Sequence, residues 1–189
     1  HDQLLGGEEG QIFLGAIFPA DIEYAPALAA IGRKVAELLA KKGVRGRFAV
    51  DFISVRQDDG TWKHFAIEIN LRKGGTTHPF MMIQFLTDGY YDADKGVYLT
   101  ASGNKRYYFA SDNLQSDRYI GTTPNDLIDI AMFHGLMYDG AAQEGVVFHL
   151  IGALSEFGKL GVVCIGKTPE EAKEFYDNTI RVLDYECGL

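Results

Sequence analysis

The sequence contains few of the residues that mark specialised protein classes. Its 189 residues include only 2 Cys, 5 Pro and 1 Trp. Two cysteines cannot build a disulfide framework, and so few prolines argue against a collagen-like or proline-rich disordered chain. Lys and Arg number 18 against 26 Asp and Glu, giving a net charge of −8. A negative chain is a poor binder of nucleic-acid phosphates, so we expect no nucleic-acid partner.

Long apolar runs are also missing. None approaches the roughly 20 residues that a membrane helix needs, and the N-terminal residues show no signal-peptide pattern. Cys164 lies in an apolar run and is expected in the core, whereas Cys187 is expected to be exposed. Nothing requires these two residues to pair. We therefore expect a cytoplasmic protein without a membrane partner.

The acidic residues are concentrated in the second part of the chain. Residues 1–79 contain ten cationic and ten acidic residues, so the whole charge of −8 belongs to residues 80–189. Composition is otherwise that of a globular protein, with 47% hydrophobic and 23% charged residues. This asymmetry and an aromatic-rich segment after residue 79 predict two units, 1–79 and 80–189.

Residue periodicity and turn signals predict an α+β fold with antiparallel strands in both units. Thr123-Pro124 and Thr168-Pro169 are typical helix starts, with a capping Thr and Pro at the first position. Helices are predicted over 25–41, 124–138 and 169–185. Strands are predicted over 11–19, 47–55, 62–70, 97–100, 105–110, 145–151 and 160–166.

One predicted hairpin brings two carboxylates together. If Asp59-Gly60 forms a two-residue turn, Asp51 lies directly opposite Glu68, and Ala49 lies opposite Asn70. The opposite face of the hairpin, formed by Val50, Phe52, Ile67 and Ile69, is then expected in the core.

Adjacent carboxylates in a strand pair repel each other, so their pairing needs an explanation. Three explanations are open: an exposed polar face, a shared proton, or a bound cation. The Asn70 amide favours the cation, because two carboxylates and an amide oxygen suit Mg²⁺.

A loop with binding potential follows the hairpin. Arg72 comes two residues after Asn70, and the sequence Lys73-Gly-Gly-Thr-Thr-His-Pro79 continues from it. Arg72 suits a phosphate oxygen, and the two glycines allow backbone amides to approach a ligand closely. His149 lies in an apolar segment, where a core histidine and a substrate contact are both open.

Asp51-Phe52 followed by Glu68-Ile69-Asn70 resembles the metal-binding hairpin of the ATP-grasp carboxylate–amine ligases. The longer string from Glu68 to Pro79, and the tail from Val147 to Val162, are similar to the subgroup that contains the pheganomycin peptide ligase. The resemblance covers most of the chain and implies that residues 1–79 are the C-terminal part of an ATP-grasp domain. Residues 80–189 would be an appended α+β domain.

The resemblance also implies a chemistry: ATP phosphorylates a carboxylate, and an amine then displaces the phosphate to form a peptide bond. By this resemblance Asp51, Glu68 and Asn70 would hold two Mg²⁺ ions. Arg72 and Lys73 would contact the phosphates of ATP. The substrate carboxylate would lie beside Gly74, Gly75, Thr76, Thr77 and His78.

The sequence departs from the family pattern in two ways. The family arginine two residues before the metal Asp is replaced by Ala49, so Arg47 is the expected catalytic substitute alongside Arg72. The lysines and mobile glycine-rich loop of an ATP-grasp front half are not found. We therefore expect an upstream half to be missing and this fragment alone to be inactive. The alternative is a non-catalytic interaction module that binds a partner or forms a homodimer.

Overall fold

The computed structural model describes residues 1–10 and 12–188. It begins with strands β1 (Asp2–Gly6) and β2 (Ile12–Phe18), followed by helix α1 (Ala25–Lys41) and strands β3 (Ala49–Arg56) and β4 (Trp62–Asn70). Next come helix α2 (Thr77–Thr87) and strands β5 (Tyr90–Asp92), β6 (Val97–Leu99) and β7 (Tyr107–Gln115). The remaining elements are α3 (Pro124–Phe133), β8 (Gly145–His149), α4 (Leu154–Phe157), β9 (Lys159–Gly166) and α5 (Pro169–Glu186), with 3₁₀ turns at Asp117–Tyr119 and Ile151–Ala153.

The main sheet has five antiparallel strands in the order β1-β2-β7-β9-β8. It combines two strands from before residue 79 with three from after it. β3 and β4 form a separate two-stranded hairpin, and β5 and β6 form another. The α+β class with antiparallel sheets is thus confirmed, while the division into units 1–79 and 80–189 stays a prediction.

The main sheet is buried on both faces because alternate residues of β9 enter different cores. Val162 and Cys164 pack with Leu127 of α3 and Leu183 of α5. Val163 and Ile165 pack on the other face against a cluster that includes Phe18, Ile83, Tyr98 and Tyr108. In the aromatic-rich segment after residue 79, Tyr98, Tyr108 and Phe109 are buried in these two cores, whereas Phe85 and Tyr90 are exposed.

Helix boundaries follow the local signals. α1 has the predicted bounds, and α3 begins at the predicted cap, where Thr123 and Asp126 form a reciprocal capping box. The prediction that α3 reaches residue 138 is wrong, because Gly135 turns the chain in a left-handed conformation (φ +64°) and ends the helix. Thr168 caps α5 through the amide of Glu171, as predicted.

Four of the named helices and strands were not predicted from the sequence: the short β5 and α4, and the longer β1 and α2. β1 lies in a glycine- and acid-rich stretch and is stabilised by pairing with β2. α2 begins inside the predicted substrate loop and includes Pro79 and Phe80, whose aromatic surroundings obscure the helical pattern.

Both cysteines are free. Cys164 is buried as expected, but Cys187 is half-buried rather than exposed. Among the residues that the structure describes, no helix combines the length and apolar character needed to cross a membrane.

Candidate functional site

The β3–β4 hairpin has the predicted pairing at its polar end. Asp51 lies opposite Glu68, and Ala49 lies opposite Asn70. The predicted turn is wrong, however. Gln57 pairs with Thr61 around three residues, and Gly60 takes a left-handed conformation (φ +82°).

A β-bulge corrects the offset that this longer turn introduces. Phe52 pairs with Ala66, but the next residue, Asp51, pairs with Glu68, so Ile67 is the extra residue of the bulge. Bulges are common where a sheet must re-aim a side chain near a functional site. The two carboxylates are therefore adjacent because of a bulge that the sequence pattern did not reveal.

The prediction that the opposite hairpin face enters the core is wrong. Ile67 and Ile69 are 60% and 48% exposed, and Val50 and Phe52 are only half-buried. The hairpin belongs to no larger sheet, and Val50, Phe52 and Ile67 line an open groove of about 690 Å³ shared with residues of β1 and α1 rather than a closed core.

Asp51 is held by two amide side chains. The Nδ2 atom of Asn70 donates to its Oδ2 at 3.1 Å, and the Nε2 atom of Gln3 donates to its Oδ1 at 3.2 Å. This orientation directs the Asn70 amide group toward the carboxylate, so that Asn70 and Asp51 form one polar cluster. The predicted metal ligands Asp51 and Asn70 are thus together, and Glu68 is beside them in the ladder.

The donor set fits a hard cation. No salt bridge in the described part of the chain engages Asp51 or Glu68, so their adjacent charges lack a protein cation to offset the repulsion. Residues 1–10 and 12–188 contain no group of three His, Cys, Asp or Glu placed to hold a metal. The predicted set differs from such a group because its third member is the amide of Asn70.

Arg47 lies at the same end of the hairpin. Its guanidinium stacks over the ring of Phe80, 4.9 Å from the centroid, and donates to Oε1 of Gln84 at 2.9 Å. It lines a cavity of about 370 Å³ together with Asp51 and the loop residues Thr76 and Thr77. The structure therefore brings Arg47 to a cavity that also contains one predicted metal ligand.

Arg72 and Lys73 do not line that cavity. Both are exposed, and the Arg72 guanidinium donates to the carbonyl of Lys73 at 3.2 Å. Their predicted role in binding phosphate is untested by this arrangement and stays a prediction.

The glycine-threonine loop separates two cavities. Two hydrogen bonds join Gly74 and Thr77. The amide of Gly74 donates to Oγ1 of Thr77 at 3.1 Å, and the amide of Thr77 donates to the carbonyl of Gly74 at 3.0 Å. Thr76 and Thr77 line the cavity beside Asp51, whereas Gly74, Gly75 and His78 line a second cavity of about 420 Å³. The predicted substrate residues therefore face two different spaces.

The second cavity contains Asp112, which the sequence analysis did not mark, and His149, for which a core position and a substrate contact were both open. His149 of β8 lies against His78, with their ring centroids 4.4 Å apart, and Asp112 of β7 lines the same space. Burial, reinforced by the neighbouring His78, lowers the pKa of His149 to about 4. His149 is thus a half-buried cavity residue, and its only sequence signal was a polar residue in an apolar strand.

Comparison with known proteins gives a relative for nearly the whole chain. Over 172 residues the chain is 34% identical to L-propargylglycine--L-glutamate ligase from Streptantibioticus cattleyicolor, which covers 91% of this chain. Residues 126–179 match the family described as PGM1 C-terminal domain. The match to this ligase confirms the predicted resemblance to a carboxylate–amine ligase.

The match covers only part of the curated relative. The chain spans about a third (34%) of the length of the curated relative that it matches. Among solved structures, the phosphoribosylaminoimidazole carboxylase ATPase subunit from Aquifex aeolicus is similar with a TM-score of 0.49 and 19% identity, over 95% of this chain and 49% of that one.

Proposed function

We propose that this chain, which resembles part of a carboxylate–amine ligase over 91% of its length, carries the metal-binding end of an ATP-dependent, peptide-bond-forming ligase. The observation that carries the proposal is the pairing of Asp51 with Glu68, with Asn70 hydrogen-bonded to Asp51. A relative named for joining two amino acids makes amino-acid carboxylates and amines the favoured substrate class.

In this proposal Asp51, Glu68 and Asn70 hold Mg²⁺ through their side-chain oxygens. The bound ion would neutralise charge on the phosphate oxygens of ATP and orient them for transfer. Asp51 is pre-oriented for this role, because Gln3 and Asn70 fix its carboxylate by hydrogen bonds.

The proposed reaction has two steps. An oxygen of the substrate carboxylate attacks the γ-phosphorus of ATP, which forms an acylphosphate and releases ADP. The amine nitrogen then attacks the acyl carbon, phosphate leaves, and the nitrogen loses a proton. Arg47 lines the cavity beside Asp51 and is placed to stabilise negative charge there.

The surrounding residues bind the reactants. Thr76 and Thr77 offer hydroxyl groups in the same cavity as Arg47, where they would border the substrate carboxylate. Arg72 and Lys73 are exposed at the end of β4, where their charges would meet the nucleotide phosphates from outside that cavity.

An upstream half is also part of the proposal. The chain spans about a third of its relative, and the hairpin presents an apolar face that includes Ile67 and Ile69 to solvent. We place the remaining nucleotide-binding residues on a preceding segment that covers this face. Two free thiols fit a cytoplasmic location, where ATP is also available.

Isothermal calorimetry with Mg²⁺, with and without a nucleotide, tests the metal site. We expect saturable heat from this chain and at least tenfold weaker binding in Glu68→Gln, because that substitution removes one ligand charge. Glu174→Gln is the matched control, since Glu174 is an exposed residue of α5. Equal binding in Glu68→Gln, or no heat from the unmodified chain, would contradict the proposal.

A non-catalytic interaction module is the second candidate, and the exposed apolar hairpin face favours it. In that case Ile67 and Ile69 would form part of a homodimer or partner interface. The module predicts a concentration-dependent dimer in sedimentation equilibrium and no Mg²⁺ heat, whereas the ligase predicts metal-linked heat that Glu68→Gln removes.

A further inference from the structure

The cavity between the glycine-threonine loop and the main sheet has the properties of a small-molecule site. Its volume of about 420 Å³ lies within the range of roughly 300–1,000 Å³ typical of ligand pockets. Most of its wall is apolar and comes from β2, α2, β7 and the segment after β8, with Phe13, Ala16, Pro79, Ala110 and Leu150 as its members. Such a wall accommodates a compact aliphatic group.

One end of this cavity is polar. The imidazoles of His78 and His149 are in contact there, and Asp112 supplies a carboxylate. Asp112 lies in an irregular part of β7, where the pairing with β9 shifts between Ser111 and Leu114. This bulge directs Asp112 toward the cavity in place of the regular ladder.

Two glycines make room for these side chains. A Cβ atom on Gly161 would lie 2.2 Å from Cε1 of His149, so the imidazole can rest on β9 only because residue 161 is glycine. A Cβ atom on Gly75 would lie 2.7 Å from Cε1 of Phe13. The local sequence therefore preserves both the histidine position and the close approach of the loop to β2.

The charge of the polar end selects the ligand. Asp112 has no salt-bridge partner among the residues that the structure describes. His149 is neutral at pH 7 because burial and His78 lower its pKa to about 4. A carboxylate ligand would be repelled by Asp112, whereas an ammonium group would pair with it and donate to an imidazole nitrogen.

We propose that this cavity binds the amine substrate, a small primary amine with a compact aliphatic side chain. Asp112 would pair with the ammonium group, His78 and His149 would accept its hydrogen bonds, and the apolar wall would contact the side chain. The assignment of this amine as a co-substrate rests on the proposed ligase function. It gives the loop two roles, with Thr76 and Thr77 facing the acyl side and Gly75 and His78 facing the amine side.

Titration with butylammonium chloride and, separately, with sodium butyrate tests this site on the 189-residue chain. The readout is the ¹H–¹³C NMR signals of the histidine imidazoles at pH 7.5. We expect butylammonium to shift the His78 and His149 signals saturably and butyrate to leave them unchanged. Binding should be at least tenfold weaker in Asp112→Asn and unchanged in Asp129→Asn, which alters an exposed carboxylate of α3.

A saturable response to butyrate instead, or no response to butylammonium, would overturn the amine assignment. The comparison of the two probes on the unmodified chain decides this even if Asp112→Asn does not fold. Mg²⁺ binding without an amine response overturns the cavity assignment alone. An amine response without Mg²⁺ binding overturns the ligase proposal and leaves the amine site standing.

Discussion

Strands β4 and β9 are both rich in aliphatic residues but use them differently. Seven of the eight residues of β9 are buried, and they fill the cores on both faces of the main sheet. In β4, by contrast, Ile67 and Ile69 are largely exposed. Glu68 and Asn70 lie next to the carboxylate of Asp51 on the neighbouring strand. The same residue types therefore stabilise the molecule in one region and present a surface in the other.

This difference separates stability from the proposed chemistry. Glu68 and Asp51 repel each other, and neither forms a salt bridge among the described residues, so their pairing lowers the stability of the hairpin. The sheet, with its buried strands and its packed helices α3 and α5, supplies the stability. Substitutions in the two regions should consequently affect different measurements.

The largest difference is expected in the free energy of unfolding. Leu160→Ala removes a fully buried side chain of β9 and should lower this free energy by about 2–5 kcal/mol. Ile67→Ala removes an exposed side chain and should change it by no more than about 0.5 kcal/mol. Urea unfolding followed by circular dichroism measures both. A similar loss in Ile67→Ala would show that the hairpin face is packed in solution.

A smaller effect is expected at the boundary between the two regions, where the His149 imidazole faces His78 and Asp112. Its pKa of about 4 in the folded chain is below the value of roughly 6.5 in an unfolded chain. Between these values the unfolded state binds a proton that the folded state does not. Protonation of His149 in the unfolded state therefore does not affect the free energy of unfolding above pH 6.5, and it lowers this free energy as the pH falls toward 4.

The expected loss between pH 7 and pH 5 is on the order of 1–2 kcal/mol, allowing for the partial solvent exposure of the ring. Urea unfolding at the two pH values measures it. In His149→Gln the loss should be smaller by about that amount, because other acid-sensitive groups are unchanged. An equal loss in both proteins would show that His149 is solvated and titrates near its ordinary pKa.

The sequence predicted those parts of the fold that depend on local signals. α1 has the bounds that its apolar spacing indicates, and the cap at Thr123 begins α3 as expected. β1 could not be predicted in this way, because its stability comes from pairing with β2 rather than from its own residues. α3 was predicted too long because the turn at Gly135 outweighed the apolar pattern that continues after it.

The pairing of Asp51 with Glu68 was predicted correctly, although the turn assumed for it was wrong. The two-residue turn would place Asp51 opposite Glu68, but the real turn is longer, and the bulge at Ile67 restores the pairing. Two irregularities that cancel cannot be recognised from alternating residue types alone. The cavity with His149 and Asp112 was not predicted because it joins β2, α2, β7 and β8, which are distant in the sequence.

The proposed ligase function depends on the paired carboxylates of the hairpin, which we expect to bind a divalent cation. Titration with substoichiometric Mn²⁺ tests this binding most directly, because this paramagnetic ion broadens the NMR signals of nearby nuclei. We expect the backbone amide signals of Asp51, Glu68 and Asn70 to broaden first and to recover when excess Mg²⁺ displaces Mn²⁺. Broadening confined to other acidic residues, such as Glu170 and Glu171 at the start of α5, would contradict it.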